Sequence, residues 1–202
     1  MTAYYKLNYT GLSYLITSPE KNPERDLILN ILRQNNQAVV SISQLEESSG
    51  MASQKIHEII KSFSAKDFIS KVAEQNIDTE QGAYKNLVEK IQVLASGGSL
   101  MLVDKNGLVI AEDGFVGIRK DFLAANAAHH VLKNEATKIN SSESNGNNPW
   151  GVTIKWGSRK VLVQILYVGK KKFILVVDVA ARLSKQGLIL LVAFLARRYT
   201  SE

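Results

Sequence analysis

The fold is decided by the stretch Leu100-Met101-Leu102-Val103-Asp104-Lys105-Asn106-Gly107-Leu108-Val109-Ile110-Ala111. Two apolar runs of four residues, 100–103 and 108–111, flank a polar tetrapeptide in which Gly107 can adopt a positive φ. This pattern predicts two antiparallel strands joined by a tight turn. The predicted hairpin supplies a sheet on which the neighbouring segments can be placed.

Amphipathic helices are predicted on both sides of this hairpin. Upstream, apolar residues between Tyr84 and Ala95 recur at spacings of three and four and stop at Gly97-Gly98. Downstream, the pattern predicts a second helix over 119–138. The remaining predicted elements are three strands at 151–156, 161–168 and 173–179 and a closing helix over 183–199.

The order helix, two strands, helix, three strands, helix resembles the roadblock/dynein light chain family, in its MglB-like group of small-GTPase regulators. The resemblance covers about residues 82–200. The residues that carry it are 98–111, the Ala-rich segment 122–128 and Lys185-Gln186-Gly187-Leu188. It implies a five-stranded antiparallel sheet with helices packed on it. It also implies a platform that binds a Ras-like small GTPase without supplying a catalytic group.

Residues 25–75 resemble a winged helix-turn-helix. A helix after Pro23, a short strand near 39–42, two helices around Gly50 and a strand at 68–72 follow one another along the chain. The polar stretch 76–82 is typical of a linker. We therefore predict an α+β protein with an N-terminal extension (1–20), a winged-helix-like domain (21–75), a linker (76–82) and a roadblock-type α/β domain (83–202).

The helix predicted over 119–138 has apolar residues on two faces. Leu123, Ala127 and Val131 form one face, and a heptad-like seam that runs from Ile118 through Phe122 and Leu132 to Ile139 forms the other. The helix is either a core helix on its sheet, or one face packs on the sheet while the other meets a partner. The family resemblance implies a homodimer in which this helix and the strand near Trp156 meet their symmetry mates. The expected interface residues are Phe122, Ala125, His129, Val131, Leu132, Trp150, Val152 and Ile154.

The residue inventory leaves few routes to catalysis. The sequence has no Cys and three His, which excludes thiolate chemistry and zinc sites built on Cys. His129 and His130 are adjacent on a helix, so they point about 100° apart and cannot chelate one metal ion. Phosphate-binding glycine loops and a nucleophile elbow are lacking. We therefore expect no enzymatic activity, no metal and no cofactor.

The net charge of +6 is distributed unevenly. Residues 1–75 carry eight Lys/Arg and eight Asp/Glu, so the excess lies in the C-terminal part of the chain. Part of it is Lys170-Lys171-Lys172 at a predicted hairpin tip. This tract is either a solvated turn or a contact for an acidic partner or a phosphate surface.

Nucleic-acid contact is the alternative function of the N-terminal domain. Ser53, Gln54, Lys55 and Lys61 are residue types that meet bases or phosphates. Because phosphate neutralisation dominates DNA affinity, a neutral domain disfavours this function. The alternative protein is a DNA-binding transcription regulator whose C-terminal domain dimerises or senses a ligand. A structural adaptor in a larger assembly is a third possibility.

The chain shows no sign of membrane insertion. Its longest apolar run, Gly187 to Ala196, is about half of the roughly 20 residues that a membrane span needs. The first eighteen residues lack the basic and apolar regions of a secretory signal. We expect a cytoplasmic protein.

Overall fold

The computed structural model describes residues 3–34, 38–73, 87–96, 98–115, 119–139 and 151–200. The chain divides into two compact units. The first comprises Met1–Lys85, Val168–Lys171 and Leu188–Glu202, and the second comprises Asn86–Tyr167 and Lys172–Gly187. The predicted linker 76–82 lies outside the described residues.

The first unit is built on a three-stranded antiparallel sheet with helices. Its elements in chain order are β1 (Tyr4–Leu7), α1 (Tyr9–Ile16), α2 (Pro23–Gln34), β2 (Val39–Ser41), α3 (Ile42–Ser49), α4 (Ser53–Ala65) and β3 (Ile69–Val72). The strand order is β2-β1-β3, so β1 pairs with both of the other strands. Residues 1–20, which we assigned to an N-terminal extension, thus contribute the central strand and helix α1 to this unit.

Local sequence signals determine where α3 begins and where it ends before α4. Ser41 and Gln44 form a capping box at the start of α3, in which the Gln44 N–H donates to Ser41 Oγ at 3.2 Å. Gly50 ends α3 in the left-handed conformation with φ of +64°, which favours glycine. Two short helices therefore follow each other across a tight turn.

The second unit is built on a five-stranded sheet. Its elements are α5 (Leu87–Leu94), β4 (Ala95–Ser96), β5 (Leu100–Asp104), β6 (Val109–Asp113), α6 (Lys120–Ile139), β7 (Gly151–Trp156), β8 (Arg159–Val168), β9 (Lys171–Asp178) and β10 (Arg182–Leu183). The five-stranded order is β6-β5-β9-β8-β7. The pairs β5–β6, β5–β9 and β7–β8 are antiparallel. A turn joins β8 to β9 and is too short for a crossover, so this pair is antiparallel as well.

The predicted five-stranded antiparallel sheet is confirmed, with shifts at the element ends. Leu108 lies in the turn before β6 and not in the strand, because the Asp104 carboxylate accepts from its N–H at 2.8 Å. The short strands β4 and β10 pair with each other outside the large sheet and were not predicted. They are two residues long, too short for a periodic signal.

Helix α7 (Lys185–Tyr199) closes the chain. It is buried around most of its circumference, which explains why the run after Gly187 is apolar on all sides. The buried residues are Leu188, Ile189, Leu191, Val192, Ala193, Leu195 and Ala196. Among the helices that the structure describes, none has the length and apolarity needed to cross a membrane.

Gly11→Ala is expected to lower the free energy of unfolding by about 1–3 kcal/mol, although alanine is normally the better helix former. A Cβ at Gly11 would lie 2.6 Å from the carbonyl oxygen of Phe68 and 2.9 Å from Leu7 Cδ1. Urea denaturation measures the effect. Thr10→Ala is the matched control, since Thr10 is the exposed neighbour in α1 and its change should stay within about 0.5 kcal/mol. A Gly11→Ala protein as stable as the wild type would contradict this close packing.

Candidate functional site

Helix α6 separates its apolar side chains into a buried face and an exposed face. The buried face packs on the sheet through Leu123, Ala124, Ala127, Ala128 and Val131. The strands supply the other side of this core with Met101, Val103, Val161, Val163, Ile165, Ile174 and Val176. The alanines allow the helix backbone to lie close to the sheet. Because this face is buried, the side chains on the opposite face of α6 point to solvent.

The opposite face of α6 is open to solvent. Phe122 is 59% exposed and Leu132 is 55% exposed, which is unusual for side chains of this size. Ala125 and His129 lie between them and are also exposed. The spacing of three, four and three residues aligns these side chains along one stripe of the helix.

Two neighbouring elements widen this stripe into a surface. The Phe122 ring packs on the Trp156 ring at 5.4 Å between centroids. The β5–β6 turn lies against the helix, since a Cβ at Gly107 would be 3.1 Å from Ala125 Cα. The following residue, Leu108, is 66% exposed. We call the set Leu108, Phe122, Ala125, His129, Leu132 and Trp156 the α6 surface.

Strand β7 lies at one edge of the five-stranded sheet. It pairs with β8 in a register from Gly151↔Gln164 to Trp156↔Arg159. Val152, Ile154 and Trp156 have the same parity, and all three pack on the core beneath α6. In the sheet as described, the other edge of β7 is therefore available to a further strand.

The structure brings most of the predicted interface residues together, in two environments. Phe122, Ala125, His129 and Leu132 lie on the α6 surface, and Val152 is half-buried beside it. Val131 and Ile154 are only 1% and 7% exposed and belong to the chain's own core. Val131 is buried because it lies on the face of α6 that packs on the sheet, and Ile154 is buried because it lies on the side of β7 beneath that helix. Trp150 lies outside the described residues.

Sequence reasoning missed Leu108 as part of this surface. It was placed in a strand because it begins an apolar run of four residues. The signal that could have found it is its position directly after Gly107, which has φ of +85° and still belongs to the turn.

The chemistry of the α6 surface suits binding. It offers aromatic rings, aliphatic groups and one imidazole. An ion pair between Lys120 and Glu112 lies at the start of the helix. Within the described ranges, no group of three or more His, Asp or Glu side chains is placed to hold a metal ion.

Helix α4 presents a second, polar surface in the first unit. Ser53, Gln54, Lys55 and Lys61 are all exposed, as nucleic-acid contact would require. The opposite face is buried through Ile56, Ile59, Ile60 and Phe63. Glu58 lies between the two lysines in sequence, and Gln54 Nε2 donates to its carboxylate at 3.5 Å.

Comparison with known proteins gives structural neighbours. No family model matches the sequence, and no curated protein sequence matches it. The roadblock/LC7 domain from Streptomyces avermitilis is 18% identical, with 57% of this chain and 96% of that chain covered and a TM-score of 0.41. Myxococcus xanthus MglB is 21% identical, with coverages of 59% and 98% and a TM-score of 0.40. The gliding protein MglB from Thermus thermophilus is 18% identical, with coverages of 55% and 82% and a TM-score of 0.36.

Proposed function

We propose that this protein is a non-enzymatic regulator or scaffold that forms a homodimer and binds a Ras-like small GTPase through its C-terminal unit. The observation that carries the proposal is the α6 surface beside the free edge of β7. The two features lie together, one apolar and one offering backbone hydrogen bonds. In the part of the chain that the structure describes, a partner could cover the apolar surface and pair with the edge strand at the same time.

A second copy of the chain fits this pair of features. A stripe with heptad-like spacing can pack against the same stripe of a second copy across a twofold axis. An edge strand can pair with the same strand of that copy and so extend the sheet. Burying the exposed part of Phe122 or Leu132 contributes about 1–2 kcal/mol, because each side chain is already partly covered in the single chain. Because a twofold axis doubles each contact, these residues contribute substantially to a stable dimer.

The GTPase partner follows from the resemblance carried by residues 98–111, 122–128 and 185–188. These stretches form the β5–β6 hairpin, the first turns of α6 and the start of α7. The chain would contribute contact surface and bias the nucleotide state or the location of the GTPase. Its charge, positive in the C-terminal part, would assist encounter with an acidic partner surface.

The first unit is proposed as a winged-helix-like module. The order α2, β2, α3, α4, β3 supports this, with the two short helices meeting at Gly50. No strand that returns from β3 was evident in the sequence, and in the sheet β1 lies between β2 and β3. The boundaries at 75 and 82 remain part of the proposal, whereas β1 and α1 belong to the first unit and no boundary is placed at residue 20.

DNA binding is a second candidate, favoured by the exposed face of α4. It predicts that the wild type binds random duplex DNA with an affinity that falls steeply as salt rises. Lys55→Gln with Lys61→Gln should then remove about two phosphate contacts and flatten the salt dependence accordingly. A fluorescence anisotropy titration at several salt concentrations measures this. No binding at low salt would eliminate the candidate.

Phe122→Glu is expected to convert the dimer into a folded monomer, because it places a charge in the centre of an apolar contact. Light scattering should give a mass near twice 22.3 kDa for the wild type and near 22.3 kDa for the variant. Thr10→Glu is the control, since it introduces the same carboxylate at an exposed, uncharged position of α1 in the first unit. Val131→Glu is unsuitable as an interface test, because it buries a charge in the core and should unfold the chain.

A wild type that is monomeric at tens of micromolar would overturn the dimer. So would a Phe122→Glu protein that keeps the wild-type mass and cooperative unfolding.

At least one Ras-like GTPase of the host organism is expected to bind with at least about tenfold preference for one nucleotide state, which corresponds to about 1.4 kcal/mol. Purified GTPases, each loaded with GDP or a non-hydrolysable GTP analogue, are titrated against the wild-type protein by calorimetry. Phe122→Glu tests whether the dimer is needed. If none of the host GTPases binds in either state, the GTPase proposal is wrong even if the dimer is confirmed.

A further inference from the structure

Three segments of the first unit meet around Thr200, after the end of α7. In the β8–β9 turn, a Cβ at Gly169 would lie 3.4 Å from Thr200 Cγ2 and 3.3 Å from Leu29 Cδ2. From α2, Arg33 Nε donates to Thr200 Oγ1 at 3.0 Å, and its Nη2 donates to the Thr200 carbonyl oxygen. Leu29 and Arg33 are four residues apart and so lie on one face of α2. The ends of α2 and α7 and the turn thus form one corner of the unit.

This corner is rich in cations. Arg33 comes from α2, Lys170 from the β8–β9 turn, Lys171 from the start of β9, and Arg197 and Arg198 from α7. We call these five residues the basic cluster. Lys170, Lys171 and Arg198 are exposed, whereas Arg33 and Arg197 are half-buried. The contributing segments 29–34, 168–171 and 192–200 contain no Asp or Glu, while Asp26 lies earlier in α2 and Glu202 lies outside the described residues.

The fold itself explains the three arginines of the basic cluster but not its two lysines. Arg33 satisfies the carbonyl oxygen of Thr200, and arginines in the last turn of α7 interact favourably with the helix dipole. The turn itself needs Gly169, whose φ is +58°, but it does not need lysines after it. Lys170 and Lys171 therefore add positive charge to the corner without a requirement of the fold.

The inner cations are held in partly desolvated positions. Burial lowers the pKa of Arg33 from its usual value, with Asp26 acting in the opposite direction. Burial also lowers the pKa of Arg197. An anion close to a partly desolvated guanidinium stabilises its charged form, so a negative surface placed against this corner is favourable.

We propose that the basic cluster is a docking surface for anionic lipid headgroups, through which the protein binds peripherally to a negatively charged membrane. The cluster combines a turn tip with the ends of two helices, without an exposed apolar wedge. Leu29, Leu195 and Ala196 are buried, and the large apolar side chains identified as exposed belong to the second unit. The contact is therefore electrostatic and involves no insertion.

A fluid lipid surface suits this geometry better than nucleic acid does. Lipids diffuse to match any arrangement of cations, whereas phosphates on a duplex are fixed and are usually also held by hydroxyl groups and helix N-termini. Here both helices present their C-terminal ends, and the hydroxyl of Thr200 donates to the Ala196 carbonyl oxygen. For the same reason, neither of these two helices offers the backbone N–H donors of an N-terminus to a single bound phosphate. The inference is independent of the proposed GTPase partner.

The test is co-sedimentation of the full-length protein with phosphatidylcholine vesicles, with and without about one third phosphatidylserine. The wild type should bind the anionic vesicles, and the binding should weaken as salt rises from about 0.05 to about 0.5 M. The cluster variant combines Lys170→Gln, Lys171→Gln and Arg198→Gln, and it leaves the contacts of Arg33 with Thr200 in place. It should bind about 100-fold more weakly, from about fivefold per cation.

The control variant removes the same charge elsewhere, through Lys21→Gln, Lys71→Gln and Lys105→Gln, all at exposed positions. It should stay within about threefold of the wild type, because none of these lysines lies on the three segments that form the corner. Equal losses in the two variants would overturn the proposal, as would wild-type binding that is the same with and without phosphatidylserine. If the protein bound duplex DNA through the cluster and did not bind vesicles, the site would be assigned to nucleic acid instead.

If the triple variant fails to melt cooperatively, the single variant Lys170→Gln replaces it. This variant should still weaken vesicle binding about fivefold, and unchanged binding would refute the proposal.

Discussion

The packing of the alanine-rich face of α6 on the five-stranded sheet is the constraint on which the rest of the second unit depends. Ala124, Ala127 and Ala128 remove side-chain bulk between helix and sheet, so the backbone approaches closely and the rotation of the helix is fixed. Once that rotation is set, Phe122 and Leu132 must point away from the core. The exposed stripe is thus a geometric consequence of the core.

The edge of the sheet follows from the same arrangement. Strand β7 lies beneath α6, and its inward residues Val152, Ile154 and Trp156 complete that core. The aromatic contact between Trp156 and Phe122 links the buried layer to the exposed stripe. An apolar face and an edge strand that are supported by one core can act together as one interface. This coupling is the reason for proposing a second copy as the occupant.

The first unit shows how distant parts of the sequence combine. Residues 1–75 are neutral when they are counted alone, which disfavours an anionic partner for the first unit. Folding brings the β8–β9 turn and the end of α7 to the end of α2, where Arg33 binds Thr200. Cations from three segments then share one corner. A count along the chain cannot detect this, because electrostatic energy depends on distance in space and not on separation in sequence.

Periodicity and turn chemistry were sufficient to predict the five large strands, the long helix and two apolar faces on that helix, because these signals are local. They could not decide which apolar face is buried, since Val131 and Phe122 look alike in a sequence and differ only in their orientation to the sheet. Nor could they place β1 between β2 and β3. Those outcomes depend on pairings between segments far apart in the chain, which form only when the backbone has folded.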